Sequence, residues 1–253
     1  MVSLIPLPDF PLVRPGDRLD GQIVAAARDV GLLDGDVVVL AQKVVSKSEG
    51  RYVDLRTVTP SAQAVRLARE VRKDPRLVEV ILSESREVMR AVPGVIIVRH
   101  RLGFVLANAG IDQSNLPGTA RAGEAEQVLL LPADPDASAA ALRESLRHRT
   151  GHRLAVLIVD SLGRAWRNGT CGTAIGAAGI EALRDLRGQP DLFGRRLETS
   201  ELGFADEIAA AASLVMGQAA EGRPVVIVRG LDWAESGQSA ANLVRPLESD
   251  LFR

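Results

Sequence analysis

The sequence holds a single cysteine, Cys171, and its aromatic residues amount to 3%. One thiol cannot close an internal disulfide, so a reducing cytoplasm is the expected location. So few rings argue against a platform on which nucleic-acid bases stack. Nor is there an excess of charge: 31 Lys plus Arg stand against 32 Asp plus Glu, which leaves nothing to neutralise a run of phosphates. No nucleic-acid partner is expected. The opening "MVSLIPLPDFPLVRPGD" has neither a basic n-region nor a long apolar core, so no signal peptide is expected. No apolar run approaches the roughly 20 residues of a membrane span, so no membrane partner is expected either.

Several familiar motifs are also missing. There is no GxxxxGK[ST], no GxGxxG after a strand and no GxSxG, and no Cys/His set could hold zinc. The three histidines, His100, His148 and His152, stand beside arginines and are expected at the surface. A covalent enzyme nucleophile is therefore not the evident mechanism. Lysine is scarce too: Lys43, Lys47 and Lys73 are the only three, and two of them share "QKVVSK". In a chain that uses arginine nearly everywhere, that pair marks either chance or a site needing a compact ammonium instead of a planar fork.

What is present reads as a chain of 253 residues, 46% hydrophobic, with ample material for a core. Apolar, β-branched runs at 2–6, 36–42, 94–99, 103–107, 127–131, 153–160 and 224–230 read as strands. Helical spacing is expected over 18–31, 60–72, 74–86, 133–151 and 203–216. The third-quarter helix is the clearest: Asp134 can cap it, Pro135 suits its first position, and Gly151 can end it. Strands and helices mix without strict alternation, so the expected class is α+β. No repeat or linker is visible, and two subdomains, if present, would be interwoven.

Four polar clusters sit at the ends of apolar strands. In "QKVVSKSEG" (42–50), Val44 and Val45 are expected to continue the strand, with Lys43 and Lys47 either on a solvated turn or clamping a phosphate. In "NAGIDQSNLPG" (108–118), Asp112 is an oxygen donor of the kind that binds Mg²⁺ or Mn²⁺, although D-x-S-N after glycine is more often an Asx-turn. In "VDSLGRAWRNGTCGTAIG" (159–176), Asp160 is expected to end a buried strand before Ser161. Arg164 and Arg167 follow in a glycine-broken loop; metal-plus-anion chemistry and a plain surface loop both fit. In "MGQAAEGRP" (216–224), Gln218 offers a neutral oxygen in what is otherwise an ordinary connection. Asp206 and Glu207 begin the preceding helix, where acids suit the dipole. Two acids, two lysines and two arginines favour metal-assisted phosphoryl transfer.

Taken together, these clusters resemble the coenzyme F-420-0:L-glutamate ligase family. The resemblance is carried by "RPGDRL" (14–19), "DGDVVVLAQKVVSKSEGR" (34–51), "ANAGIDQSN" (107–115), "LLLPADPDASAAALR" (129–143), "VDSLGRAWRNGTCGTAIGAAGI" (159–180), "ADEIAAAASLVMG" (205–217) and "PVVIVRG" (224–230). It implies that F-420-0, L-glutamate and GTP give F-420-1, GDP and phosphate through an acyl phosphate, with further γ-linked glutamates allowed. It implies two divalent ions, Mg²⁺ or Mn²⁺, and a potassium ion in the wider set. By position, Asp112 and Asp160 match ligands of one metal, and Ser161 and Gln218 ligands of the second. Gln42, Lys43, Lys47 and Asn115 match nucleotide-contacting positions, as do Leu4, Ile5, Pro6 and Leu7. The loop Met216, Gly217, Gln218, Ala219, Ala220, Glu221, Gly222 and Arg223 does so too. Lys47, Arg164 and Arg167 are the catalytic candidates, the arginines for anions of the deazaflavin substrate. The implied assembly is an intertwined homodimer, and the chain is expected to be the free-standing ligase module. The alternatives are a metal-dependent phosphohydrolase or phosphotransferase on the same site, and a non-catalytic nucleotide or deazaflavin binder.

Overall fold

The computed structural model describes residues 1–114 and 126–250. The chain opens with β1 (Ser3–Pro6), α1 (Leu19–Ala26), β2 (Val37–Ala41), α2 (Gln42–Ser48) and β3 (Tyr52–Asp54). Next come α3 (Ala62–Val71), α4 (Pro75–Ser83), β4 (Ser85–Val92), β5 (Val95–His100), β6 (Val105–Ala107) and β7 (Gln127–Leu129). It closes with α5 (Pro135–Thr150), β8 (Ala155–Arg164), β9 (Arg167–Ala178), β10 (Arg184–Asp185), β11 (Glu201–Leu202), α6 (Phe204–Met216) and β12 (Val225–Arg229). The class is α+β, as the mixed pattern predicted.

The largest sheet has the order β1-β12-β2-β8-β9. Only β2 and β8 run parallel; the other neighbours are antiparallel. Its central strands read as unbroken apolar runs because both faces are covered. Val38, Leu40, Val156 and Ile158 pack into one core with residues of α1, α2 and α5. Val37, Val39, Leu157 and Val159 alternate onto the other face, against Ile208, Ala209 and Ala212 of α6. A third core forms where α3 and α4 pack on β4 and β5, around Val78, Ile81, Ile96 and Val98. No helix among the described residues is long and apolar enough to cross a membrane.

Helix α5 follows its sequence signals closely. The Asp134 carboxylate accepts from Ala137 N at 3.0 Å, Pro135 opens the first turn, and Gly151 closes the helix in the left-handed region with φ 75°. Three expectations were wrong. Residues 42–48 leave β2 as a helix, because Val44 and Val45 are buried on its inner side and not along an extended edge. Strand β8 does not stop at Asp160; it runs on to Arg164 and pairs with β9. The glycines of 163–176 therefore belong to a hairpin, where they admit close neighbours: a Cβ on Gly172 would meet the Ala209 carbonyl at 2.5 Å. Finally, His100 is fully buried, with Nδ1 accepting from Leu102 N and Nε2 3.5 Å from Glu84.

Candidate active site

The two lysines are delivered by α2. Their spacing of four residues places them one turn apart on the same helix face. Gln42, at the helix start, is buried and accepts from Ser46 Oγ at 2.9 Å. Lys47 is partly covered. Burial lowers its pKa from the ordinary lysine value, the Lys43 ammonium lowers it further, and Asp112 acts in the opposite sense.

Asp112 reaches these lysines through an unusual piece of backbone. After β6, Asn108, Ala109 and Gly110 all have positive φ, at 51°, 54° and 66°. Such conformations cost energy for non-glycine residues and persist only where the surroundings fix them. Here the Asn108 side chain accepts from Ile96 N at 3.1 Å, and Ala109 is fully buried. Glycine is required at 110, since a Cβ would stand 2.9 Å from Leu106 and 3.0 Å from Leu131. The chain then locks onto Leu129 through two 2.9 Å backbone hydrogen bonds at Asp112. Lys43 Nζ lies 2.7 Å from the Asp112 carboxylate and donates to Ser114 Oγ at 2.8 Å. Ser114 in turn donates to Asp112 Oδ1 through its amide, at 3.0 Å, and its hydroxyl, at 2.8 Å. The Asx-turn and the site are thus the same structure.

Asp160 stands within β8, opposite Thr173 of β9, and accepts from Ser161 N at 2.8 Å. Its pKa is pushed up from 3.8 to about 6, chiefly by burial. The charge of Asp112 adds to the rise, while Lys43 and the Ser161 amide oppose it. The two carboxylates and Lys43 therefore share one electrostatic environment. Strand alternation turns the Ser161 hydroxyl to the opposite face, that of α6. Gln218, just beyond the end of α6, is exposed, and no described contact joins it to either aspartate.

Asp112, the Ser114 hydroxyl and the nearby Asp160 are the oxygen donors gathered here among the described residues. Among the described residues no group of three or more His, Cys, Asp or Glu could hold a metal by itself. Such sparse oxygen donors fit Mg²⁺ or Mn²⁺, which keep waters and bind substrate phosphates, and not a closed zinc site. Burying two like charges near one another also favours a cation between them.

The remaining candidates spread outward from this centre. Leu4, Ile5 and Pro6 form β1, against β12, and Leu7 is fully buried beyond it. In the loop from Met216 to Arg223, Met216 is core and Gly217 turns the chain at φ 76°. There Ala219 N donates to the Glu221 carboxylate at 2.8 Å; this bond and the neighbouring amides hold that carboxyl below its usual range. Ala220, Gly222 and Arg223 are exposed. Arg164 and Arg167 face one another at the exposed tip of the β8–β9 hairpin, not in an open loop. Four residues of strand separate Arg164 from Asp160, about 13 Å. Asn115 lies outside the described residues. Ser114 was not among the site candidates, although it falls inside the expected Asx-turn.

Two acids and two lysines gathered in this way, with no activated nucleophile beside them among the described residues, suit an enzyme that works by positioning and charge neutralisation. Comparison with known proteins makes this specific. Residues 9–230 match the family model described as F420-0:Gamma-glutamyl ligase. The chain is 46% identical to the coenzyme F420:L-glutamate ligase of Methanothermobacter thermautotrophicus, with 100% of this chain and 99% of the relative covered. It is 44% identical to the enzyme of that name from Methanopyrus kandleri, over 98% of this chain and 96% of the relative. With that from Methanocaldococcus jannaschii the identity is 40%, over 97% and 94%. The chain belongs to the F420-0:gamma-glutamyl ligase family, whose members are amide-forming ligases.

Proposed function

We propose that this enzyme joins L-glutamate to the lactyl carboxylate of F-420-0 at the expense of GTP, releasing GDP and phosphate. The observation that carries this reading is the Lys43–Asp112 contact at 2.7 Å beside an Asp160 whose pKa feels both groups. It gathers the charges needed for phosphoryl transfer without providing a nucleophile of the enzyme's own.

In the proposed reaction a carboxylate oxygen of F-420-0 attacks the γ-phosphorus of GTP. The bond to the bridging oxygen breaks, and GDP leaves with that electron pair. The deprotonated glutamate amine then attacks the acyl carbon, and phosphate departs as the amide forms. Lys43 and Lys47 neutralise phosphoryl oxygens as charge shifts onto them. Gln42, Asn115, residues 4–7 and the 216–223 loop hold the nucleotide. Asp112 and Asp160 would hold one divalent ion, and Ser161 and Gln218 a second. An ion between Asp112 and Asp160 would supply charge compensation for the transferring phosphoryl group, with a potassium ion completing the set. Arg164 and Arg167, at the exposed hairpin tip, contact a distal anion of the deazaflavin substrate and not the reacting atoms. The working assembly is a homodimer.

The test is GDP release in parallel incubations complete, without glutamate and without F-420-0. A ligase gives GDP in step with amide product only in the complete mixture. Equal GDP release without glutamate would replace this reading with a phosphohydrolase.

A further inference from the structure

A cleft of about 260 Å³ runs along the outer edge of β9. It is smaller than the about 300–1,000 Å³ typical of drug-sized ligands, and so suits a small metabolite better than a nucleotide. Thr173 lines it, and Thr173 is the antiparallel partner of Asp160. Directly opposed residues project from the same face with Cβ atoms about 5 Å apart. Leu162, two residues beyond Asp160 on that same face, lines it too. The sheet order β1-β12-β2-β8-β9 thus sets Asp160 between two regions: nucleotide candidates on β1, beside β12 and after β2, and this cleft beyond β8.

The charges in the cleft are Arg99, Arg245, Asp206 and Asp250. Arg99 pairs with Glu87 at 3.0 Å, yet its Nε is buried without a hydrogen-bond partner among the described residues. A buried donor left unsatisfied is costly, and a ligand acceptor in the cleft would satisfy it. Arg245, on the exposed C-terminal segment, touches the Ser249 carbonyl at 3.5 Å, a weak contact. Asp206 uses Oδ1 to accept from Ala174 N on the edge strand at 2.9 Å. Burial raises its carboxyl above the ordinary value, and a bound ammonium would act in the opposite sense. The apolar wall includes Phe104 and Leu243.

Two cations, two acids and an apolar wall offer the complements of an amino acid that carries two carboxylates, one ammonium and a methylene stem. We propose that this cleft binds the L-glutamate substrate, Arg99 and Arg245 holding its carboxylates and Asp206 its ammonium. The amine is then delivered to the Asp160 face from the side away from the nucleotide. This assignment rests on the ligase reading.

The test is steady-state kinetics of Arg99→Met and Arg245→Met, varying glutamate and GTP separately. Loss of a charge-assisted hydrogen bond is expected to raise KM for glutamate about tenfold or more, with KM for GTP changed by less than about twofold. Arg245→Lys should recover part of the loss. Should Arg99→Met fold poorly, the exposed Arg245 carries the test alone. Glutamate KM values within about twofold of wild type in every folded variant would overturn the assignment and leave the ligase standing. A wild-type enzyme that adds no glutamate would overturn the ligase reading, and this assignment with it.

Discussion

Replacing Asp160 by asparagine should abolish activity and, in the metal-free protein, raise stability. The sign follows from the direction of the shift. In the unfolded chain this carboxyl ionises near 3.8, whereas in the fold it holds its proton to about 6. Below 3.8 both states are neutral and the carboxyl costs nothing. As pH rises from 3.8 to about 6 the unfolded state ionises first, and the penalty on the fold grows until it is complete above 6. A gap of that size corresponds to about 3 kcal/mol. Asparagine keeps the shape and an oxygen for the Ser161 amide, now 2.8 Å away, but carries no charge to bury. In a protein of this length each kcal/mol moves Tm by about 2–4 °C, so a gain of up to about 10 °C is expected above pH 6. Calorimetry of both proteins without divalent metal, above pH 6 and below pH 3.8, is the assay. The gain should vanish at the lower pH. Mg²⁺ should raise Tm of the wild type by binding the folded state, and do so far less for the variant. An Asp160→Asn protein that melts no higher than wild type at neutral pH would refute the reasoning.

Other outcomes follow from contacts elsewhere in the molecule. Asp112→Asn should lose activity while changing stability by less than about 1 kcal/mol in urea unfolding, because its partner Lys43 keeps access to solvent. Glu84 is held down at about 2 by His100, Arg101 and Arg51, against 4.5 in the unfolded chain. Its contribution is therefore present above pH 4.5 and lost as pH falls towards 2, and acid unfolding should begin at a higher pH in Glu84→Gln. Gly172→Ala should cost about 1–3 kcal/mol in the same unfolding assay, since the new methyl collides with the α6 backbone at Ala209.

Much of this frame is legible in the sequence. The strands buried on both faces announce themselves as unbroken apolar runs, and α5 carries its cap, its first-turn proline and its terminal glycine in plain order. What misled were residues whose local character tertiary packing overrides. Val44 and Val45 look like strand but are buried under a helix. Glycines 163–176 look like a loop, yet several serve close approach of α5 and α6 to β9, as at Gly172 and Gly176. His100 lies among arginines in sequence, while its ring is buried beside Glu84. The candidate site was visible as separate fragments. Only the fold brings Lys43 onto Asp112, 69 positions apart in sequence by their numbers, and turns Ser161 away from Asp160. The β9 cleft gave no motif at all, because its charges come from β5, α6 and the C-terminal segment.

The most direct test of the central claim is mass spectrometry of F-420-0 incubated with the purified enzyme, L-glutamate, GTP and Mn²⁺. A product heavier by one or more glutamyl units is expected, absent when glutamate or GTP is omitted. Unchanged F-420-0 in the complete mixture, with GTP consumed all the same, would contradict it.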